Sequence, residues 1–263
     1  MNKRTSASPL QVTYIGGPTV IIEIDGLKLM TDPTLDPQGT SFVLNERVTE
    51  TKLTGPAIMP EGPVDIVLLS HDQHFDNLDG NGRSYLKEVR TTLTTKSGAG
   101  RLNGNSVGLA PGESLVFSTP GGSSLEITAT PARHGPAGVE KLTGDVIGFH
   151  LRVSGNHSFE IYITGDTVYY HGVEELARHI NPAYVFIFAG AARPRGPFNV
   201  TMGTNDALDT AYVFPSSKLI PLHAEGWSHY TEHNSNLIEA FNILGIAEQL
   251  MLLKPGVRTS LTI

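Results

Sequence analysis

Hydrophobic and polar positions alternate with a period of two through much of the first half of the chain, which predicts short strands at Gln11 to Ile15, Thr19 to Ile24 and Leu27 to Thr31. Asp25-Gly26 between the last two is a tight hairpin signal. Val64 to Leu69 is instead a continuous apolar run closed by Ser70-His71. That pattern suits a strand buried on both faces whose carboxyl end delivers polar groups to a surface. A helix is expected to begin at Asp76 and run toward Val89. The stretch from Thr91 to Thr130 is rich in Thr, Gly, Ser and Val. It predicts strands at Arg90 to Thr95, Ser114 to Phe117 and Ser124 to Thr130, with few helices. In the second half, Val146 to Val153 and Glu160 to Thr164 flank a Gly155-Asn156 turn, and strands follow at Tyr184 to Phe188, Lys218 to Pro221 and Gln249 to Leu253. Helices are expected at Val173 to His179, Thr204 to Phe214 and Thr231 to Leu244, with Thr204 and Thr231 as N-caps. Two β-rich halves that each finish in helices imply an α+β fold, two packed sheets with helices outside. No linker-like break interrupts 10–263, so these residues read as one domain behind a flexible start at 1–9.

Charge and cysteine content narrow the function. The chain of 263 residues carries 19 Lys and Arg against 26 Asp and Glu, a net charge of −7, with the basic residues scattered. Neither nucleic acid nor an anionic membrane finds an electrostatic footprint there. The apolar run from Ala183 to Ala192 is well short of the roughly 20 residues that span a bilayer. With no Cys, there is no disulfide and no thiolate, so a metal must sit on His and carboxylate. Lys3 and Arg4 are followed by polar residues and Pro9 where an export signal needs an apolar stretch, which points to the cytoplasm. The expected partner is a small-molecule substrate, and the helix from Thr204 to Phe214 offers a face through which copies could pair into a homo-oligomer.

Three of the ten histidines and two aspartates share one setting. His71 follows VDIVLLS, His134 follows ITATPAR, Asp166 follows EIYITG and His223 follows KLIPL; Asp32 likewise follows LKLMT. Each lies just past a β run, and a sheet gathers such ends in space however far apart they are in sequence. Imidazole and carboxylate in an open arrangement are the donors of catalytic Zn²⁺, and also suit Mn²⁺ or Fe²⁺. The segment Ser70-His71-Asp72-Gln73-His74-Phe75-Asp76-Asn77-Leu78-Asp79 adds two His and three Asp in a strand-to-helix turn.

These motifs, together with Tyr14-Ile15-Gly16-Gly17-Pro18-Thr19, Thr31-Asp32-Pro33, Ala129 to Gly135, Thr164-Gly165-Asp166-Thr167 and Leu222-His223-Ala224-Glu225-Gly226-Trp227, resemble the metallo-β-lactamase superfamily over nearly the whole chain. Within it, the chain is similar to the L-ascorbate-6-phosphate lactonase-like branch of metal-dependent hydrolases. The resemblance implies a four-layer αββα sandwich with one or two divalent transition metals at one edge, Zn²⁺ foremost. It implies metal ligation by His71, His74, Asp76, His134, Asp166 and His223. The family's His-x-His-x-Asp-His spacing is not kept. Either Asp72 falls at the first histidine, or an inserted residue lets His71 serve; the bulge sacrifices less than losing an imidazole and favours His71. Asn77 stands at the third histidine, so the second metal lacks an imidazole, and a mononuclear enzyme is the other outcome.

The implied chemistry is a metal-bound hydroxide attacking a lactone, ester or phosphoester. Asp76 would orient the nucleophile or carry its proton, and His229 would bind substrate or protonate the leaving group. Asp32, Asp72, Gln73, Asn77, Glu225 and Trp227 are expected around the metal or the substrate, Asp32 by fixing a ligand histidine. Two other readings compete. Gly104-Asn105-Ser106-Val107-Gly108 matches a serine-hydrolase elbow but lacks the strand before and helix after. A metal-binding regulatory or binding module on the same fold, with Gln73 and Asn77 marking a weakened centre, is the alternative function.

Overall fold

A computed structural model describes residues 10–46 and 48–263; the expected flexible start at 1–9 lies outside the described residues. The first sheet contains β1 (Leu10–Gly16), β2 (Thr19–Ile24), β3 (Leu27–Thr31), β6 (Ile66–Leu68), β7 (Thr91–Thr95), β8 (Ser106–Leu109) and β15 (Arg258–Ser260), in the order β15-β1-β2-β3-β6-β7-β8. The second contains β9 (Ser114–Ser118), β10 (Ser124–Pro131), β11 (Ile147–Ser154), β12 (Phe159–Ile163), β13 (Tyr184–Phe188) and β14 (Lys218–Leu222), in the order β14-β13-β12-β11-β10-β9. A small hairpin of β4 (Ser41–Asn45) and β5 (Val48–Thr51) stands apart from both.

The pleat explains the layers. In β13, Tyr184, Phe186 and Phe188 face the interior between the sheets, where they meet Val20, Ile22, Leu68, Ile127 and Phe149. Val185 and Ile187 face the other way, against α4 (His171–Ala177), α5 (Thr204–Val213) and α6 (Asn234–Ile243) through Val173, Ala207, Ala211, Leu237 and Phe241. The run VDIVLL divides in the same manner: Ile66 and Leu68 point into the sandwich, while Val67 and Leu69 pack with Leu78, Leu86 and Val89 around α1 (Gly80–Tyr85). Helix, sheet, sheet and helix therefore form the expected four layers.

Parallel pairing aligns the strand ends that carry chemistry. β3, β6, β7 and β8 run parallel, as do β12, β13 and β14. Two antiparallel pairings, β10 with β11 and β11 with β12, return β10 to the direction of β12. Residues just after β3, β6, β10, β12 and β14 consequently emerge at one edge.

Several local expectations are corrected. The helix expected from Asp76 starts at Gly80, because Asp79 caps it by accepting from Gly82 N at 2.8 Å. α2 (Lys96–Leu102) forms despite two glycines; Thr95 caps it, and a Cβ at Gly98 would lie 2.8 Å from the capping oxygen. Ser106 opens edge strand β8 after that helix, the reverse of a nucleophile elbow. Thr204 and Thr231 are not the N-caps. Gly203 and His233 hold those positions, their backbone N–H groups bonded to Asp206 and Asn236 three residues on. Gln249 to Leu253 is not a strand: Leu250 makes a single bridge to Leu219, and the chain then crosses to the other sheet as β15 beside β1. No described helix is long and apolar enough to cross a membrane.

Candidate metal centre

At the shared edge, three imidazoles and a carboxylate converge. His74 Nδ1 lies 3.0 Å from both His71 Nε2 and His134 Nε2, while Asp166 Oδ2 is 3.5 Å from His134 Nε2 and 3.9 Å from His71 Nε2. Four ligands of a tetrahedral Zn²⁺ stand about 3.3 Å apart when each bond is about 2.0–2.1 Å. Outer contacts fix which nitrogen faces inward. His134 Nδ1 donates to Val200 O at 2.7 Å, and His71 Nδ1 donates to Ser70 Oγ at 2.9 Å, which in turn donates to Asp32 Oδ1 at 2.9 Å. Asp32 thus acts on His71 through Ser70. Burial, and after it the neighbouring rings, holds His71 well below the ordinary histidine range and His134 down at about 3; His74, also buried, is lowered to about 4. Neutral imidazole is the state that binds metal.

Beside this cluster, Asp76, Asp166 and His223 form a second set of converging donors, and Glu50, Asp76 and His229 a third. Asp76 Oδ2 is 3.2 Å from His223 Nε2 and 2.8 Å from His229 Nε2. Burial pulls His223 down, but the facing carboxylates of Asp166 and Asp76 outweigh it and hold the ring up at about 9. Burial alone would raise Asp76; the His229 and His223 rings reverse that and keep it well below the usual carboxylate range. Asp166 Oδ2 and both His223 nitrogens are buried without an aligned hydrogen-bond partner. Such orphaned groups are costly, and a divalent cation at their meeting point satisfies them. The residues present fit a metal.

The backbone is strained where it presents these groups. Asp32 and His223 hold φ of +26° and +56°, a region in which non-glycine residues store energy. Gly165, at φ +60°, has no such freedom to change: a Cβ there would sit 2.6 Å from Ile147 O. Gly165→Ala is expected to displace Asp166 and lower stability by about 1–3 kcal/mol, with reduced bound metal, measured by denaturant melts and elemental analysis. Asp32→Asn weakens the Ser70 relay and should cost metal affinity about 10–100-fold, read by competition with a chromogenic chelator.

Residues 28–224 match the β-lactamase superfamily domain. The chain belongs to the metallo-β-lactamase superfamily. Among its relatives are UPF0173 protein YddR of Bacillus subtilis, 23% identical across 94% of this chain and 98% of the relative, and a UPF0173 metal-dependent hydrolase of Carboxydothermus hydrogenoformans, 24% identical with the same coverage. The crystal structure of an isothiocyanate hydrolase from Delia radicum gut bacteria shares the fold at a TM-score of 0.78 and 22% identity, covering 96% of this chain and all of that one.

On this metallo-β-lactamase scaffold the remaining expected residues take different places. Asp72 turns away from the cluster and is gripped by Arg101, whose Nε and Nη2 reach it at 2.9 and 2.5 Å; His71, not Asp72, faces the other imidazoles. Gln73 packs against Gly144 outside the donor set. Asn77 donates from Nδ2 to Asp166 Oδ1 at 3.2 Å and so orients that carboxylate. Trp227 is 1% exposed and packs in tilted contact with both Phe42 and His229. Glu225 accepts from Asn234 N at 3.1 Å at the start of α6, which removes it from the centre. Glu50 escaped the sequence reading, because it lies in an alternating charged strand that reads as solvent-facing; Arg195, paired with Arg193 in the loop Ala192-Arg193-Pro194-Arg195-Gly196, reads from sequence as able to neutralise a phosphate but more readily as solvated. Both line, with His74, Asp76, His134 and Asp166, a narrow cavity of ≈ 10 Å³, room for about one water.

Proposed function

We propose that the chain is a metal-dependent hydrolase acting on a lactone, ester or phosphoester of a small molecule, as its likeness to the lactonase-like branch suggests. The observation that carries this reading is the convergence of His71 Nε2, His74 Nδ1, His134 Nε2 and Asp166 Oδ2 on one point, with the outer nitrogens of His71 and His134 already committed. A divalent ion such as Zn²⁺, Mn²⁺ or Fe²⁺ supplies Lewis acidity there, acidifying water and polarising a substrate oxygen. His71, His74 and His134 would hold it, with Asp166 placed to bridge toward His223. Asp76, bonded to His229 at 2.8 Å, is positioned to accept a proton from the attacking water, and His229 to return one to the leaving group. Arg195 has a buried Nε without a partner at the cavity wall. Its guanidinium suits an oxyanion or phosphate of the substrate.

The test is hydrolysis of chromogenic lactones, carboxylic esters and phosphodiesters by metal-stripped protein with and without added Zn²⁺ or Mn²⁺. Metal-dependent turnover of one class is expected. Bound metal without turnover of any of them would favour the binding-module alternative.

A further inference from the structure

The second donor set lacks an imidazole at Asn77, yet its neighbourhood is not short of ligands. Asn77 spends its Nδ2 on Asp166 and retains only an amide oxygen, a weak neutral donor. On the other side of Asp76, His229 Nε2 approaches the same carboxylate oxygen that His223 Nε2 approaches, at 2.8 and 3.2 Å. The Glu50 carboxylate joins them, with donor atoms of Glu50, Asp76 and His229 all within 4.8 Å of one another. Glu50 and Asp76 are each 4% exposed, His223 is fully buried and the His229 side chain is 8% exposed. His229 Nδ1 and both nitrogens of His223 have no aligned hydrogen-bond partner.

Glu50 and His229 are 179 residues apart, and one contact positions both. Thr51, next to Glu50, donates its N–H to Ser228 Oγ at 2.9 Å, and Ser228, next to His229, donates its own N–H to Thr51 O at 3.0 Å. This reciprocal pair clamps β5 to the loop after β14 and aims the two neighbouring side chains at Asp76. Three buried carboxylates, Glu50, Asp76 and Asp166, then surround two imidazoles. Burying that much negative charge is tolerated only with matching positive charge.

We infer that Glu50 and His229 complete the second cation position of this centre, forming with Asp76 and His223 a set of two imidazoles and two carboxylates that replaces the imidazole missing at Asn77. Such a donor set suits a first-row transition-metal dication. The inference rests on the proposed metal centre and adds to it the residues that hold the second ion; with that ion bound, His229 and Asp76 serve as ligands in place of the proton transfers proposed for them above.

Tag-free full-length protein is stripped with a chelator, desalted and titrated with Zn²⁺ alone, the bound metal counted by elemental analysis and the affinities read by calorimetry. Two equivalents are expected in the wild type. Glu50→Gln, which keeps the side chain's shape, and His229→Gln should each weaken the second equivalent at least tenfold and leave the first within threefold. Far-UV dichroism and thermal melts of the stripped proteins confirm that both variants fold, and a Co²⁺ titration should show loss of the second set of visible bands in each. Retention of the second equivalent within threefold by either variant overturns the four-residue assignment. A single equivalent in the wild type also overturns it while leaving the His71, His74 and His134 position standing. No bound metal in the wild type defeats the metal-centre reading itself.

Discussion

His134→Ala should abolish metal-dependent hydrolysis, with metal affinity falling by more than the about 100-fold that loss of an outer contact can cost. In the proposed centre His134 is the ligand contributed by β10, and its Nε2 stands 3.0 Å from His74 Nδ1 and 3.5 Å from Asp166 Oδ2. Removing the ring deletes one of three imidazole donors and also strands Val200 O, which accepts from its Nδ1 at 2.7 Å. Neither His71 nor His74 can move over to compensate, because Ser70 tethers the first and the second already occupies the middle of the cluster. Chelator treatment of the wild type should reproduce the loss, and added Zn²⁺ should restore the wild type but not the variant. Elemental analysis alongside the hydrolysis assay checks this; unchanged metal content and turnover in the variant would place the centre elsewhere.

The second large effect lies away from the donors. Lys52 is 3% exposed, donates to Asp79 Oδ2 at 2.9 Å and to Thr34 O at 2.6 Å, and carries its ammonium 5.6 Å from the Trp227 ring centroid. Asp79 meanwhile caps α1 and accepts from Asp36 N at 2.7 Å. Lys52→Met preserves the aliphatic stem but leaves a buried carboxylate without its counter-charge. Breaking one partner of a buried pair costs about 3–5 kcal/mol, and urea unfolding should register a loss of that size. A change below about 1 kcal/mol would mean that water or a rearranged neighbour already compensates Asp79. Since Lys52 lies two residues beyond Glu50, the same substitution is expected to loosen the hairpin that faces the centre.

The strand ends were legible because burial on both faces leaves an unmistakable apolar run: VDIVLL marks where Ser70-His71 must emerge, and YVFIF marks the doubly buried strand between those that end at Asp166 and His223. Parallel pairing then does the rest, bringing His71, His134, Asp166 and His223 together from positions spread over more than half the chain. The irregular spacing in the first ligand segment was legible only in part. Two residues separate His71 from His74, and they fit because Asp72 is pulled outward by Arg101 while Gln73 lies against Gly144, where no side chain competes for room. Arg101 itself rides on α2, whose two glycines depress helix propensity and hid it from a pattern-based reading; capping by Thr95 and packing supply what the sequence lacks. Glu50 carried no local signal, and Arg195 only the weak one of a loop pair with Arg193 that reads more readily as solvated. Their burial is a product of loops closing over the edge, a tertiary fact without a periodic trace. The caps of α5 and α6 slipped because the backbone bonds of Gly203 and His233 to Asp206 and Asn236 begin those helices in place of the Thr hydroxyls.

The donors are drawn from both halves of the sandwich: Asp32, His71, His74 and Asp76 follow strands of one sheet, and His134, Asp166 and His223 follow strands of the other. Ser70 O already accepts from Ile147 N at 3.1 Å across that seam. An ion seated there is a rivet between the sheets as well as a reagent. A ligand that binds only the folded chain stabilises it by about 2.7 kcal/mol at one hundred times its dissociation constant. Metal supply would therefore set the lifetime of the folded chain together with its turnover, so that a starved cell loses the protein and its activity by the same event.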